Sequence, residues 1–385
     1  MTMRNRLRNG KNSNNYRSVF VTHTAVPGGG ELALTRYLSQ TKIRNVVLFA
    51  GADGPVWNPI RRSGVEVITS PSLLKNPIGA ARFYWALRRQ QSDQFVANTM
   101  RSALLASIIL PRSARIVYWV RDGLTQGSVS AIGLFLTRII TLRRVNKCIA
   151  NSKWTASSIR ELAPGIPVEV CPSPSGIHPS KEVDAASDAP KENGVVRVLF
   201  LGRIAPWKGV HIAAEAIQLL NASCADGRTY TLDIAGASWF GEDAYMERIM
   251  VLANEGHNIS YLGHVNDVQG MLSDYDCMVH CSLLPEPFGQ VIVQGMAHGL
   301  VVIAANSGGP AEIITDGQDG FLVEPGNAKA LAAKLVEVFD APTAVETIRR
   351  RSRQTAQQYA DTAIVERLDS ILGEVSSVEA SDEVR

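Results

Sequence analysis

Two α/β domains in tandem, each built on a parallel, doubly wound sheet, are the architecture this sequence predicts. Three observations carry that expectation. Short apolar runs alternate with longer helical stretches, the pattern of strands buried on both faces. The alternation runs through two cycles, and a Pro-, Ser- and charge-rich stretch over residues 171–194 interrupts it. At 385 residues the chain exceeds one ordinary core and fits two of about 150–200 residues.

The first cycle opens at Ser18-Val19-Phe20-Val21-Thr22-His23, turns through Gly28-Gly29-Gly30-Glu31 and enters a helix at Tyr37-Leu38. Further strands are predicted at residues 46–50, 65–68, 95–97, 116–120 and 148–150. The second cycle places strands at residues 195–201, 231–235, 259–262, 277–280 and 301–304, and residues 344–375 read as helical. These runs set the expected boundaries: a disordered basic tail over 1–17, a first domain over 18–175, a linker over 176–194, a second domain over 195–356, and a helix with a tail over 357–385. A ligand is expected between the two domains.

Composition bounds the class. A hydrophobic content of 45% and a charged content of 19% belong to a soluble globular protein, and a net charge of +3 argues against a nucleic-acid binder. Cys148, Cys171, Cys224, Cys277 and Cys281 form no CxxC pair, so reduced thiols in the cytoplasm are expected. No apolar stretch follows the basic start, and no run is long enough to span a bilayer.

Pro285-Glu286-Pro287-Phe288-Gly289-Gln290 concentrates the chemistry. Pro287 bars Glu286 from helical geometry, and Gly289 permits close backbone approach. The apolar run from Gln290 predicts a buried helix whose positive dipole end faces whatever Glu286 faces. Such a site suits an anionic ligand with hydroxyl groups, for example a sugar joined to a diphosphate. Arg203 and Lys208, in Gly202-Arg203-Ile204-Ala205-Pro206-Trp207-Lys208-Gly209, follow the strand at 195–201, on the edge where open α/β sheets bind ligands. A planar guanidinium and a mobile ammonium together suit a pyrophosphate, although either alone also fits a solvated loop.

Gly28-Gly29-Gly30-Glu31 is either a plain strand-to-helix turn or a loop whose amides approach a phosphate or sugar. Gly28, Gly30 and Ala33, with Asp53 downstream, match a loose dinucleotide fingerprint, and no P-loop lysine follows. In Ser307-Gly308-Gly309-Pro310-Ala311-Glu312, Pro310 fits the first turn of a helix and the glycine pair offers backbone access to a ligand. Asp316-Gly317-Gln318-Asp319-Gly320 reads as turn chemistry.

The sequence has no HExxH and no Gly-x-Ser-x-Gly, and its Asp274-Tyr275-Asp276 precedes a strand instead of ending one. Strand alternation turns His280 away from Cys277 and Cys281, so no metal site is expected. Of the seven histidines, His23 and His264 stand at strand ends facing the expected ligand, and the others, His257 included, read as structural or surface. Residues 130–147 carry Ile132, Phe135, Leu136, Ile139 and Ile140 at helical spacing, with Arg138, Arg143, Arg144 and Lys147 towards the end. A helix packed on its own domain is the default reading, and a helix lying on anionic lipid is the alternative.

In order and spacing, Gly202-Arg203…Lys208-Gly209, then Glu286-Pro287-Phe288-Gly289 with seven residues between Glu286 and Gln294, then Gly308-Gly309-Pro310-Ala311-Glu312, resemble the retaining nucleotide-sugar glycosyltransferases of family 4, which have the GT-B fold. Gly28-Gly29-Gly30-Glu31 is similar to their first loop. The resemblance covers nearly the whole chain and is most specific over residues 195–326. It implies a second domain that holds the donor and a first that holds the acceptor. It implies catalytic roles for Arg203, Lys208 and Glu286, the cations neutralising the donor diphosphate and Glu286 contacting donor-sugar hydroxyls. Amides around Phe288, Gly289 and Gln290 would add contacts, Gly29 and Gly30 would approach the phosphate, and His264 joins the donor set.

The same resemblance implies a metal-independent transfer with no cofactor beyond the nucleotide-diphosphate sugar. It also implies a saccharide or lipid-linked acceptor, no nucleic-acid partner, and peripheral contact at the inner face of the cell membrane. Two departures stand out. Gln294 replaces a Glu that holds the ribose, and its carbonyl still accepts a hydroxyl hydrogen bond. Arg121-Asp122 stand where many relatives place a His; Arg121 stays protonated and is no general base, which leaves Asp122 to orient the acceptor. A nucleotide-sugar epimerase and a non-catalytic nucleotide-sugar-binding protein remain alternatives.

Overall fold

The computed structural model describes residues 15–70, 76–178, 194–223, 227–238, 241–255 and 258–373. The expected basic tail up to residue 14, most of the expected linker, Cys224, His257 and the stretch from residue 374 lie outside the described residues. Contacts divide the chain into two units. One takes Met1–Asn151, Ala156–Cys171 and Val365–Arg385, and the other takes Ser152–Thr155 and Pro172–Ile364.

In the first unit, β1 (Asn15–Thr22), β2 (Val46–Ala50), β3 (Glu66–Thr69), β4 (Gln91–Ala97), β5 (Ile116–Val120), β6 (Lys147–Ala150) and β7 (Val168–Val170) form one sheet in the order β3-β2-β1-β4-β5-β6-β7. Every pairing is parallel. β2 and β5 are buried along their whole length, which is why they read as unbroken apolar runs. β7 is a three-residue edge strand with no fully buried position, so it leaves no periodic signal and was not predicted. Residues 365–373 complete this unit. Tyr37 Oη donates to Asp369 at 2.7 Å, the Gln94 amide to the Leu372 carbonyl at 2.8 Å, and Lys147 to the Ile371 carbonyl at 2.6 Å.

In the second unit, β8 (Val195–Leu201), β9 (Thr229–Ala235), β10 (Ile259–Gly263), β11 (Cys277–His280), β12 (Val301–Ala305) and β13 (Phe321–Val323) form a second parallel sheet, ordered β10-β9-β8-β11-β12-β13. Side chains alternate across it. Val198 and Phe200 join one core with helices Val210–Ser223 and Ala328–Phe339, whereas Leu199, Met278 and Val302 join another with helix Gln290–Ala297. In both sheets the order reverses beside the first strand, between β1 and β4 and between β8 and β11. Loops leaving the carboxyl ends of those strands are where such sheets build sites.

One helical expectation is corrected. Residues 130–147 are not one helix: Ala131–Leu136 passes into a π-turn, Thr137–Thr141, and a short helix, Leu142–Arg144. The stretch from residue 344 divides into Pro342–Gln357 and Asp361–Gly373.

Candidate functional site

In the second unit the site is built on the carboxyl ends of β8 and β11. Past β8 the chain makes the short turn Pro206–Lys208 and leaves it through Gly209, whose φ of 68° belongs to the left-handed region. A Cβ there would stand 2.0 Å from the Cys281 carbonyl oxygen, so only glycine lets this turn lie against the end of β11. The approach seats Lys208 Nζ 2.5 Å from Glu286 Oε2. His280 Nε2 lies 3.4 Å and Ser282 Oγ 3.3 Å from the same oxygen.

Lys208 and Glu286 expose 15% and 14% of their side chains, enough for a ligand to reach and too little for water to screen the pair fully. Burial alone pushes the Glu286 pKa up. The Lys208 charge and then His280 outweigh it and hold the carboxyl well below the usual carboxylate range. Trp207 lies between the two cations, 4.3 Å from the Lys208 ammonium and 5.5 Å from the Arg203 guanidinium, and Arg203 Nε sits 3.8 Å from the Glu242 carboxylate. The three predicted catalytic side chains therefore gather at one end of the sheet.

The backbone of Glu286 is fixed as firmly as its side chain. Gly309 N–H donates to the Glu286 carbonyl at 2.7 Å, and Glu286 pairs with Gly308 as an isolated bridge. A Cβ on Gly309 would meet the Phe288 carbonyl oxygen at 2.2 Å. The glycine pair thus brings two backbone segments into contact. The Phe288 ring is buried against Tyr359, which leaves its backbone as the part able to meet a ligand. Gly289, at φ 102°, precedes helix Gln290–Ala297, whose positive end opens beside Glu286.

Gln294 lies one turn into that helix and is buried. Its Nε2 donates to the Ser175 carbonyl at 2.7 Å, so its Oε1 is the oxygen presented as acceptor. The Asp361 carboxylate holds this stretch, accepting from the amides of Ser175 at 2.8 Å, Gly176 at 2.9 Å and Ile177 at 3.3 Å. His264 is exposed at the end of edge strand β10, with β9 between it and β8.

In the first unit, Gly29 and Gly30 begin helix Gly29–Gln40 behind Gly28. Arg121 follows β5, stacks 3.8 Å from the Trp119 ring centre and donates through Nη1 to the Gly30 carbonyl. Its Nε and Nη2 are buried and make no hydrogen bond among the described residues. Burial lowers the Arg121 pKa to about 9, while Glu31 and Asp122 act against that fall, so the side chain remains a cation near neutrality. Glu31 is buried 3.4 Å from Thr22 Oγ1. Burial raises its pKa to about 7 in spite of the Arg121 charge. Asp122 is exposed. His23 bonds Thr99 Oγ1 at 2.8 Å, and burial, with Arg101 adding to it, lowers its pKa to about 4. Asp53, the acidic member of the loose dinucleotide fingerprint, is exposed, and its Oδ1 accepts from Arg61 and from the Gly54 amide.

Sequence reasoning missed His280, Ser282, Ser175 and Asp361. Alternation along β11 put His280 and Ser282 on one side of the strand end and was the one available signal for them. No metal-ligating cluster, and no helix long and apolar enough to cross a membrane, occurs among the described residues. Cys148, Cys171, Cys277 and Cys281 are buried thiols.

Residues 184–359 match the family model for glycosyl transferases group 1. Spore coat protein SA of Bacillus subtilis is 27% identical over 167 residues, 42% of this chain and 44% of that protein. Glycogen synthase of Mycobacterium tuberculosis is 28% identical over 261 residues, 65% of this chain and 58% of that protein. The capsular polysaccharide biosynthesis glycosyltransferase CapM of Staphylococcus aureus is 27% identical over 173 residues, 45% and 44% of the two chains. The chain thus spans about half the length of the curated relatives it matches. Anabaena Alr3699/HepE, crystallised with UDP-glucose, superposes with a TM-score of 0.79 at 24% identity over 93% of this chain and 99% of that one. A glycosyltransferase from Rickettsia africae gives 0.71 at 21% identity over 95% and 100%. The fold is GT-B, and its second unit carries the stretch that matches group 1 glycosyl transferases.

Proposed function

We propose that this chain is a retaining, metal-independent glycosyltransferase. In this reading it moves a hexose-type sugar from a nucleotide diphosphate to a hydroxyl of a saccharide or lipid-linked acceptor, in cell-surface polysaccharide or glycolipid synthesis. The observation that carries it is the Lys208–Glu286 contact at the ends of β8 and β11, beside a helix start, within the stretch that matches group 1. The capsular polysaccharide role of CapM and the UDP-glucose bound to Alr3699/HepE support the choice of substrate class.

Breaking a glycosidic bond to a diphosphate puts negative charge on the leaving oxygen while the sugar becomes oxocarbenium-like. Arg203, Lys208 and the positive helix end at Gly289 stabilise that charge where it appears. Two unit charges about 4 Å apart interact by roughly 4 kcal/mol at an effective dielectric of about 20. Loss of one cation therefore slows transfer on the order of a hundredfold or more. Glu286, kept ionised by Lys208, accepts donor-sugar hydroxyls, and His280 and Ser282 hold its carboxylate. Gln294 Oε1 accepts from the ribose. The leaving phosphate takes the acceptor hydroxyl's proton on the face it departs from, which retains configuration.

Turnover of UDP-, GDP- and ADP-sugars over an acceptor panel tests the proposal, with Arg203→Ala and Lys208→Ala alongside the wild type. A fall in kcat of about a hundredfold is expected for each. Unchanged donor turnover in both variants would refute the assignment. Isomerised donor without acceptor would point to an epimerase, and binding without turnover to a non-catalytic binder.

A further inference from the structure

We propose that the Arg121 guanidinium, in the first unit, seats the carboxylate of an acidic sugar. Only in naming that sugar the acceptor does the proposal rest on the transferase reading. Two contacts fix the guanidinium. It stacks 3.8 Å from the Trp119 ring centre, and Trp119 is fully buried and set edge-on against Tyr37, with ring centroids 5.6 Å apart. Nη1 donates to the Gly30 carbonyl. Stacking sets the plane of the fork, and the hydrogen bond sets its rotation. Nε and Nη2 are left over, both buried and both without a hydrogen bond among the described residues. These two nitrogens share the edge of a guanidinium that meets the two oxygens of a carboxylate side by side. Buried donors are rarely left unmet, so a whole spare edge marks a place for a ligand.

The chain's own acids do not occupy that edge. Glu31 and Asp122 are the carboxylates whose charge Arg121 feels. Glu31 Oε1 accepts from Thr22 Oγ1 at 3.4 Å, and its Oε2 lies 3.3 Å from where a Cβ on Gly28 would stand. Burial raises the Glu31 pKa to about 7, so near neutrality it is only partly ionised. Asp122 is exposed. Glycine keeps the cation uncovered: a Cβ on Gly30 would stand 3.8 Å from Arg121 Cδ and Nη1, and a longer side chain there would lie across the guanidinium. Arg121 itself is half-buried, within reach of a ligand.

Asn98 narrows the ligand class. It is 1% exposed, its Nδ2 donates to the same Gly30 carbonyl at 3.5 Å, and its Oδ1 has no partner among the described residues. A spare acceptor beside a spare donor edge suits a hydroxyl next to a carboxylate, and an acidic sugar carries both. A neutral sugar brings no charge to the guanidinium, and its hydrogen bonds there are about half as strong. A phosphate dianion meets the donors and leaves the Asn98 oxygen unmet.

Ligand-observed NMR titration of the full chain tests this with no donor present. The probes are methyl glucuronide, methyl glucoside and octyl phosphate, the first two differing only in a carboxylate against a hydroxymethyl group. Wild type should bind the glucuronide at least about tenfold more tightly than the glucoside. Arg121→Lys keeps the charge and loses the fork, so it should weaken glucuronide binding about tenfold and leave glucoside binding unchanged. Arg121→Gln should abolish the difference between the two sugars. Both variants are checked for cooperative unfolding, and Arg121→Lys carries the test if Arg121→Gln does not fold. Equal affinity of the wild type for the two sugars, or an Arg121→Lys variant that binds the glucuronide as the wild type does, would overturn the proposal. Octyl phosphate bound more tightly than the glucuronide, with the same loss in Arg121→Lys, would overturn it too and assign the edge to the phosphate of a lipid-linked acceptor. Carboxylate selectivity lost in Arg121→Lys, alongside failure of transfer to every acceptor, would uphold the site and sink the transferase reading alone.

Discussion

Replacing Gln294 by Glu restores the acid found in the family 4 motif, yet the structure predicts that it harms this protein. The Gln294 amide donates to the Ser175 carbonyl across 2.7 Å, inside the second unit. That carbonyl is not free to rotate away, since Asp361 binds the amides of Ser175, Gly176 and Ile177, and its own N–H donates to the Ile177 carbonyl at 2.8 Å. An ionised carboxyl at position 294 would set oxygen against oxygen. Losing a buried donor costs about 1–3 kcal/mol, and more when the intruder is charged. A loss of about 2 kcal/mol lowers the melting temperature of a unit this size by roughly 4–8 °C. The penalty must also depend on pH. The introduced carboxyl gains a hydrogen bond to Ser175 only when protonated, so its folded pKa lies above its unfolded one. Stability relative to wild type is therefore recovered as pH falls and lost as it rises through that folded pKa. Thermal unfolding of wild type and Gln294→Glu from pH 4 to pH 8 measures this directly. A variant as stable as wild type at pH 8, or a deficit that does not shrink in acid, would refute the reasoning.

Two further outcomes follow from the geometry. Gly309→Ala should destabilise the second unit by about 1–3 kcal/mol in urea unfolding, because its Cβ meets backbone atoms of Phe288 that cannot swing aside. Gly165→Ala, with nothing within 4 Å, should be near neutral and is the control. Glu31 has its pKa raised from 4.5 to about 7, chiefly by burial, so it subtracts stability as pH climbs through that window, by up to about 3 kcal/mol once fully ionised. Glu31→Gln should therefore match wild type near pH 4 and exceed it at pH 8; equal melting temperatures at both would show that the carboxyl is not destabilising.

What the sequence made legible was whatever depends on near neighbours. The runs that became β2, β5 and β12 announced themselves because strands buried on both faces have no charged positions to blur them. Pro287 and Gly289 likewise placed Glu286 before a helix start without help from distant residues. The partnership of Lys208 with Glu286 was reachable only through strand-end reasoning, as 78 positions separate them. Nothing local marked Asp361 as the residue that holds Ser175, because its three amide partners lie 184 to 186 positions away. The π-turn was hidden for another reason: apolar spacing over residues 130–147 fits a plain helix as well, and the choice falls to the packing of Thr137 and Thr141. The glycine pair at Gly308 and Gly309 was recognised as special, but its packing on the Glu286 and Phe288 backbone, about 20 positions away, left no local mark.

The discontinuity of the first unit bears on how the molecule is made. A nascent chain that has left the ribosome only as far as residue 171 possesses all of β1 to β7, yet Gln94 has no Leu372 carbonyl, Lys147 no Ile371 carbonyl and Tyr37 no Asp369 carboxylate. The second unit is translated meanwhile, and residues 172–364 emerge before those acceptors do. The portion synthesised first is thus the last to be sealed, and for that interval its complete sheet stands without the helix that closes it.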